Sequence, residues 1–132
     1  MRKSYTNFQR VYLYLNSTFA DHIEVALSKT AQANPPWQQV PGRDVLAAAV
    51  GIILRAKRKR SREALLSDLT GVVVVPGPGP FSRVRAGVSV ANTLSFARDL
   101  PVWTLRAGKL RRMRGLVMPH YGKEPNITKP RT

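Results

Sequence analysis

The sequence contains no cysteine and few acidic residues. Its 132 residues include 7 Asp and Glu against 22 Lys and Arg, which gives a formal net charge of +15. The absence of cysteine excludes disulfides, thiolate metal ligands and a cysteine nucleophile, and it favours a reducing cytoplasm. No apolar run approaches the roughly 20 residues of a membrane helix, and residues 1–7 lack the apolar core of a signal peptide. We therefore expect a cytoplasmic protein with no membrane partner.

The residue types that usually carry catalysis are scarce and dispersed. His22 and His120 stand far apart, and neither has a second ligand at metal spacing. The carboxylates form no facing pair of the kind that acid–base hydrolysis needs. No serine occupies a Gly-x-Ser-x-Gly motif. The sequence thus predicts no catalytic residue, no metal site and no cofactor.

The cations are concentrated in two blocks. Residues 55–62 hold six cations in eight positions, and residues 106–114 hold five in nine. Such blocks are commonly solvated surface, but so large a net charge favours contact with polyanions. The candidate contacts to RNA phosphates are Arg55, Lys57, Arg58, Lys59, Arg60, Arg62, Arg111 and Arg112.

Apolar alternation predicts the first strands. Residues 11–15 and 23–27 alternate in this way, and the turn at 16–22 would join them as a hairpin. Prolines confine a third strand, at 37–40, to an edge of the sheet. A chain of this length buries about 65–70% of its unfolded surface, which is enough for one core. We expect a single domain.

A helix and a strand–elbow–helix unit follow. Apolar residues recur at helical spacing from Val45 to Ala56, with Asp44 as a candidate cap. Four valines, residues 72–75, favour a strand covered on both faces. Alternating Pro and Gly over residues 76–80 then form a stiff elbow, after which helical spacing resumes. The order β-β-β-α-β-α-β predicts an α/β fold.

The elbow reads Gly77-Pro-Gly-Pro-Phe-Ser-Arg-Val-Arg-Ala-Gly87. It resembles the Gly-Pro-Gly-Ser-Phe-Thr-Gly-x-Arg-x-Gly motif of the TsaB family, and Arg83 replaces a small residue of that motif. Residues 11–18 resemble the family's first strand and turn, and residues 119–128 resemble its closing Pro-x-Tyr segment. The residues in register with the motif are Gly77, Pro78, Gly79, Phe81, Arg85 and Gly87.

The resemblance implies one lobe of the actin-like, ribonuclease-H-like fold, with a five-stranded mixed sheet and two main helices. Residues 1–105 would form this lobe and residues 106–132 a basic tail that packs on it or extends from it. The chain would be a shortened form that lacks most of a second lobe.

The resemblance also implies a function. The protein would be a non-catalytic scaffold in the synthesis of threonylcarbamoyladenosine on tRNA, docked through its two helices to a TsaD-like catalytic subunit. A TsaE-like ATPase, a homodimer and a weak tRNA contact stay open as further partners. The interface residues expected on the two helices are Ala48, Ile52, Val88, Ala91 and Leu94.

Two other functions remain open. The basic blocks are also typical of a small RNA-binding or ribosome-associated protein. A nucleotide-binding enzyme is disfavoured, because Asn16 stands where kinases of this fold superfamily have an Asp that holds metal and phosphate.

Overall fold

The computed structural model describes residues 10–57 and 69–121, which form one mixed sheet with two helices on one of its faces. The sheet order is β3-β2-β1-β4-β5-β6. In chain order the elements are β1 (Val11–Asn16), β2 (His22–Ser28), β3 (Gln38–Pro41), α1 (Val45–Lys57), β4 (Leu69–Val75), α2 (Phe81–Arg98), β5 (Val102–Arg106) and β6 (Lys109–Arg112).

The two central strands, β1 and β4, run parallel with Leu13 opposite Val72. Every residue of β1 is buried, because side chains of a strand alternate between the two faces of a sheet and both faces are covered here. Strand β2 lies antiparallel to β1, and β5 lies parallel to β4. The consecutive apolar residues of β1 and β4 thus form the middle of the sheet.

The helices cover one face of the sheet. Helix α1 packs on β2 and β1, while α2 packs on β4 and β5. The Asp44 carboxylate accepts a hydrogen bond from the Ala47 backbone N–H at 2.9 Å, so the predicted cap at the start of α1 is confirmed. This carboxylate satisfies one of the backbone donors that a helix leaves free at its first turn.

The other face of the sheet carries four large aromatic side chains, those of Tyr12, Tyr14, Trp37 and Trp103. Tyr12 meets Trp103 edge to face at 5.4 Å between ring centroids, and Tyr14 meets Trp37 at 6.0 Å. The buried Tyr14 hydroxyl donates to the Thr30 carbonyl at 2.6 Å and accepts from the Gln32 N–H at 2.9 Å. These bonds fasten the segment before β3 onto the sheet.

The predicted fold class is confirmed, with one correction to the strand count. The sheet has six strands in the described residues rather than five, because β6 pairs antiparallel with β5 from Trp103 to Arg106. Strand β6 was not predicted from the sequence, because three of its four residues are cations and show no apolar alternation. The division into a lobe at 1–105 and a tail at 106–132 stays a prediction. Neither described helix is long and apolar enough to cross a membrane.

Replacing Tyr14 by Phe should lower the free energy of unfolding by about 1–3 kcal/mol, because the Thr30 and Gln32 backbone groups lose a buried partner. Burial raises the pKa of Tyr14 above its ordinary value of 10.0. This part of the stability is therefore complete below pH 10 and is lost as the pH rises through the raised pKa. Urea titrations of both proteins from neutral to alkaline pH test this, and a stability gap that does not shrink at high pH contradicts it.

Candidate functional site

The turn after β1 is closed by its own side chains. The Asn16 side-chain oxygen accepts hydrogen bonds from the Thr18 N–H at 3.0 Å and from the Thr18 hydroxyl at 2.6 Å. Here the Asn16 side-chain oxygen already serves the backbone of the turn, in the way that Asn stabilises turns generally.

The elbow between β4 and α2 is held by close approach of other backbone segments. Gly77 has φ +133° and lies against the His120 carbonyl, so a side chain there would be strained and would also clash. The His120 N–H donates to the Pro76 carbonyl at 2.7 Å. Gly79 lies directly against Thr18. The elbow therefore packs between the turn after β1 and the backbone of His120.

Two motif residues at the start of α2 form a small exposed aromatic cluster. The Phe81 ring lies 4.6 Å from the Tyr121 ring between centroids, and the Arg85 guanidinium lies 5.4 Å from the Phe81 centroid. His120, which precedes Tyr121, contacts an Arg106 nitrogen through its Nε2 at 3.0 Å. His120 and Tyr121 of the predicted closing segment therefore pack on the elbow, and residues 122–128 of that segment lie outside the described residues.

Helix α2 packs directly against the turn after β1. The buried Ser17 hydroxyl donates to the Arg83 carbonyl at 2.7 Å. A side chain at Gly87, one turn further along the helix, would collide with this same hydroxyl. Position 87 therefore requires glycine, because any side chain there would displace the Ser17 hydroxyl from the Arg83 carbonyl. This requirement explains the glycine in the motif.

Arg83, the main departure from the family motif, is 8% exposed. Its guanidinium donates to three backbone carbonyls: Phe19 at 2.9 Å, His22 at 2.9 Å and Gly42 at 3.2 Å. The Nη1 nitrogen has no hydrogen-bond partner among the residues that the structure describes. Arg83 thus ties α2 to the β1–β2 turn and to the loop after β3. This role could not be predicted from the sequence, because a single arginine in a basic chain is normally expected on the surface.

The β1–β2 turn also carries a hydrogen-bonded Asp–His pair. The Asp21 carboxylate lies 2.7 Å from His22 Nδ1, and this hydrogen bond holds the pKa of Asp21 below its usual range. The Phe19 ring stacks on the His22 ring at 4.3 Å. Within residues 10–57 and 69–121, no three His, Cys, Asp or Glu side chains are grouped as a metal site would need.

The helix residues predicted for a partner interface lie on the inner side of the helices. Ala48, Ile52, Val88 and Ala91 are buried in the core, and Leu94 packs partly against it. That choice of residues is therefore corrected. Both helices are apolar over most of their length, so spacing alone does not show which side faces the sheet.

The outer side of α1 is also apolar. Leu46, Val50 and Leu54 are 54%, 45% and 47% exposed. They follow one another at intervals of four residues, so they form one stripe along the helix. Their exposure was not predicted from the sequence, although the absence of polar residues between 45 and 54 was the available signal.

The predicted RNA contacts are only partly within the described structure. Arg55 is exposed near the end of α1, and Arg111 and Arg112 are exposed on β6. Arg112 also stacks over Trp103, with 5.4 Å from the guanidinium to the ring centroid. The side chain of Lys57 and all of Arg58, Lys59, Arg60 and Arg62 lie outside the described residues.

Comparison with known proteins agrees with this architecture. The sequence model of the family "TsaD: tRNA N6-adenosine threonylcarbamoyltransferase" matches residues 52–107. The tRNA N6-adenosine threonylcarbamoyltransferase of Syntrophus aciditrophicus (strain SB) is 36% identical over 64 residues, which are 48% of this chain and 18% of that protein. The tRNA threonylcarbamoyladenosine biosynthesis protein TsaB of Bacillus subtilis (strain 168) is 37% identical over 59 residues, 41% of this chain and 26% of that one.

Solved structures show the same fold. YeaZ from Pseudomonas aeruginosa superposes with a TM-score of 0.54 at 24% identity, over 74% of this chain and 44% of its own. A crystal structure described as a protein with similarity to peptidase YeaZ from Pseudomonas aeruginosa gives a TM-score of 0.52 at 23% identity, over 75% and 43%. The chain thus spans less than half the length of each of these relatives.

The sheet order and the elbow define a lobe of the actin-like, ribonuclease-H-like class, as YeaZ has. The resemblance to the TsaB family is confirmed by the similarity to the Bacillus subtilis TsaB protein, and the chain is TsaB-like in sequence and fold.

Replacing Arg83 by Met should lower the free energy of unfolding by about 2–4 kcal/mol, because three backbone carbonyls lose a charged donor at once. The matched control is Arg85→Met, two positions along the same helix, where only an exposed cation–π contact worth about 0.5–1 kcal/mol is lost. Chemical denaturation of both variants measures the difference. Equal stability of the two variants would show that the Arg83 bonds add little.

Proposed function

We propose that the protein is a non-catalytic scaffold and activator in tRNA threonylcarbamoyladenosine synthesis, and that it docks to a TsaD-like catalytic subunit through its helices. The observation that carries the proposal is the stripe of Leu46, Val50 and Leu54 on the outer side of α1. Apolar residues that line up on a helix whose opposite side is already buried are typical of a helix with a partner. The similarity to TsaB and to the TsaD family supports a TsaD-like protein as that partner.

The geometry of the elbow supports a structural role for this region. The Asn16 side-chain oxygen is taken up by Thr18, and the three elbow prolines remove backbone donors that a phosphate cradle would use. The Arg83 guanidinium donates three hydrogen bonds to backbone carbonyls of the β1–β2 turn and of the loop after β3. We therefore assign the transfer chemistry to the TsaD-like partner, and we place the complex in the cytoplasm. A TsaE-like ATPase would be a further member of it.

The docking surface is tested by replacing Val50 and Leu54 together by Glu and mixing the variant with the TsaD-like protein of the same source. A charge that must be desolvated at a central position costs 2 kcal/mol or more, so affinity should fall by roughly 30-fold or more. Sizing chromatography and calorimetry measure the complex. Folding should be unaffected, because both side chains are about half exposed in the free chain.

The matched control is Leu116→Glu, which changes a leucine that is 69% exposed and lies away from α1. It should leave the complex intact. A complex that survives the α1 substitutions, or one that never forms with the unchanged protein, contradicts docking through this helix. Homodimerisation through the same stripe would appear as a concentration-dependent larger species that the α1 substitutions remove.

A second candidate function is RNA binding, and the cations on β6 are the observation that favours it. Lys109, Arg111 and Arg112 are exposed on the edge strand β6, with Lys109 and Arg111 on one face of the sheet and Arg112 on the other. A strip of cations without a recognition motif favours phosphate contacts that do not depend on sequence. We regard such binding as an auxiliary property of the scaffold.

If β6 binds RNA, affinity should fall steeply with salt, and replacing Arg111 and Arg112 by Ser should flatten the log–log slope by about 1.4–1.8. Arg43→Ser is the control, because Arg43 follows the strand at the opposite edge of the sheet. Fluorescence anisotropy with a labelled tRNA over a salt series gives the slopes. Equal slopes for the three proteins would remove β6 from the RNA interface.

A further inference from the structure

The hairpin of β5 and β6 places two cations directly opposite each other. Arg106 ends β5, Lys109 begins β6, and the two residues are register partners on either side of the tight turn. Both side chains are exposed. Like charges at directly opposite positions destabilise a pair of strands. This cation pair therefore costs the hairpin stability in the free chain, and a bound anion would offset that cost.

The carboxylates of the described residues do not balance the cation pair. The Arg106 guanidinium instead donates a hydrogen bond to Nε2 of His120 at 3.0 Å. The carboxylates lie on the β2 side of the sheet, which β1 and β4 separate from β5, at the N-terminus of α1 and at the far end of α2; they are Asp21, Glu24, Asp44 and Asp99.

The segment after Tyr121 does not supply the missing negative charge either. Residues 122–132 carry three cations and one acid, and the whole chain has a net charge of +15. Because like charges repel across an interface, a second copy of the chain is a poor partner for the cation pair. An external polyanion is the better match.

An exposed aromatic ring lies next to the cation pair. His120 contacts Arg106, and the following residue, Tyr121, contacts the Phe81 ring at 4.6 Å between centroids. The Arg85 guanidinium lies 5.4 Å from the Phe81 centroid. With both contacts in place, Phe81 is still 48% exposed. Part of this ring is therefore open to a further planar group.

Cations beside an exposed aromatic ring are the combination that binds single-stranded nucleic acid. The cations contact phosphates, and the ring stacks on bases of any sequence. Double-stranded RNA keeps its bases inside the helix, whereas the bases of single strands can be splayed out onto aromatic side chains. The open area of Phe81 thus favours an unpaired strand over a duplex.

We propose that single-stranded RNA binds across this edge of the sheet, with phosphates at Arg106 and Lys109 and a base against the exposed ring of Phe81. The inference rests on the RNA-binding function that the cations of β6 favour, and it adds to that function a base contact and a preference for unpaired strands. Arg111 shares a face of the sheet with Lys109, so it would extend the line of phosphate contacts.

The base contact is tested with a labelled oligouridylate, whose binding to the full chain is followed by fluorescence anisotropy at low salt. Phe81→Leu keeps apolar bulk but removes the ring, so the affinity should fall at least about fivefold, as the loss of one base–aromatic stack requires. Phe81→Trp keeps a ring and should restore the affinity. An abasic strand of the same length has the same phosphates without bases, so Phe81→Leu should leave its binding unchanged.

The phosphate contacts are tested by the salt dependence of the same binding. Arg106→Ser/Lys109→Ser should flatten the log–log slope by about 1.4, since each lost contact to a single strand contributes about 0.7. The matched control is Lys29→Ser/Arg43→Ser, which removes the same charge from exposed positions after β2 and β3. It should leave the slope unchanged. Thermal melts of all variants verify that they are folded.

Three outcomes would overturn the proposal, and they differ in what they leave standing. Oligouridylate binding that Phe81→Leu does not weaken removes the base contact, while a slope that depends on the cation pair would leave RNA binding by β6 intact. Failure of the unchanged chain to bind either strand removes RNA binding itself. A polyglutamate peptide that displaces the oligouridylate and is equally weakened by Phe81→Leu would assign the surface to an acidic protein segment. Formation of the TsaD-like complex is a separate measurement, because the α1 stripe is not involved.

Discussion

The contact between helix α2 and the turn after β1 is the constraint on which the candidate site depends. The Ser17 hydroxyl donates a hydrogen bond to the Arg83 carbonyl, and a side chain at Gly87 would collide with this hydroxyl. The elbow sets the direction in which α2 leaves β4, and the Gly77 backbone can make its bend only with a positive φ. Since β1 and β4 are the two central strands, an error at this junction would displace α2 from the core.

Arg83 adds a second level of constraint to the same junction. A small residue at this position of the motif would leave the carbonyls of Phe19, His22 and Gly42 to water, whereas Arg83 joins all three. Burying a guanidinium carries a desolvation cost that only well-formed hydrogen bonds offset. The chain therefore uses a charge to join three loops at a place where apolar packing would not satisfy the backbone carbonyls.

Sequence reasoning succeeded where side-chain periodicity is strong and failed where charge or uniform hydrophobicity hides it. The alternation in β1 and β2, the valine run of β4 and the cap at Asp44 each have one physical reading, and the structure agrees with them. Strand β6 was missed because its cations obscure the alternation that Leu110 provides. The elbow motif could be found from glycine and proline alone, since those residues report backbone shape directly.

The sequence could not predict which side of each helix faces the sheet, for a different reason. Helix α1 has no polar residue between Val45 and Leu54, so its buried residue Ala48 and its exposed residue Val50 look alike in sequence. Only the position of the sheet decides between them, and that position is a tertiary property. The same uniformity is informative once the structure is known, because a helix that needs only one apolar side for its own fold has no intramolecular reason to keep the other side apolar.

The remaining surface divides by physical character. The outer side of α1 is apolar, so association there would depend on burial and respond weakly to salt. The edge at β6 carries Lys109, Arg111 and Arg112, so association there would depend on charge and respond strongly. The two surfaces therefore select different kinds of partner, because a ligand must match the apolar or charged character of the surface that it covers.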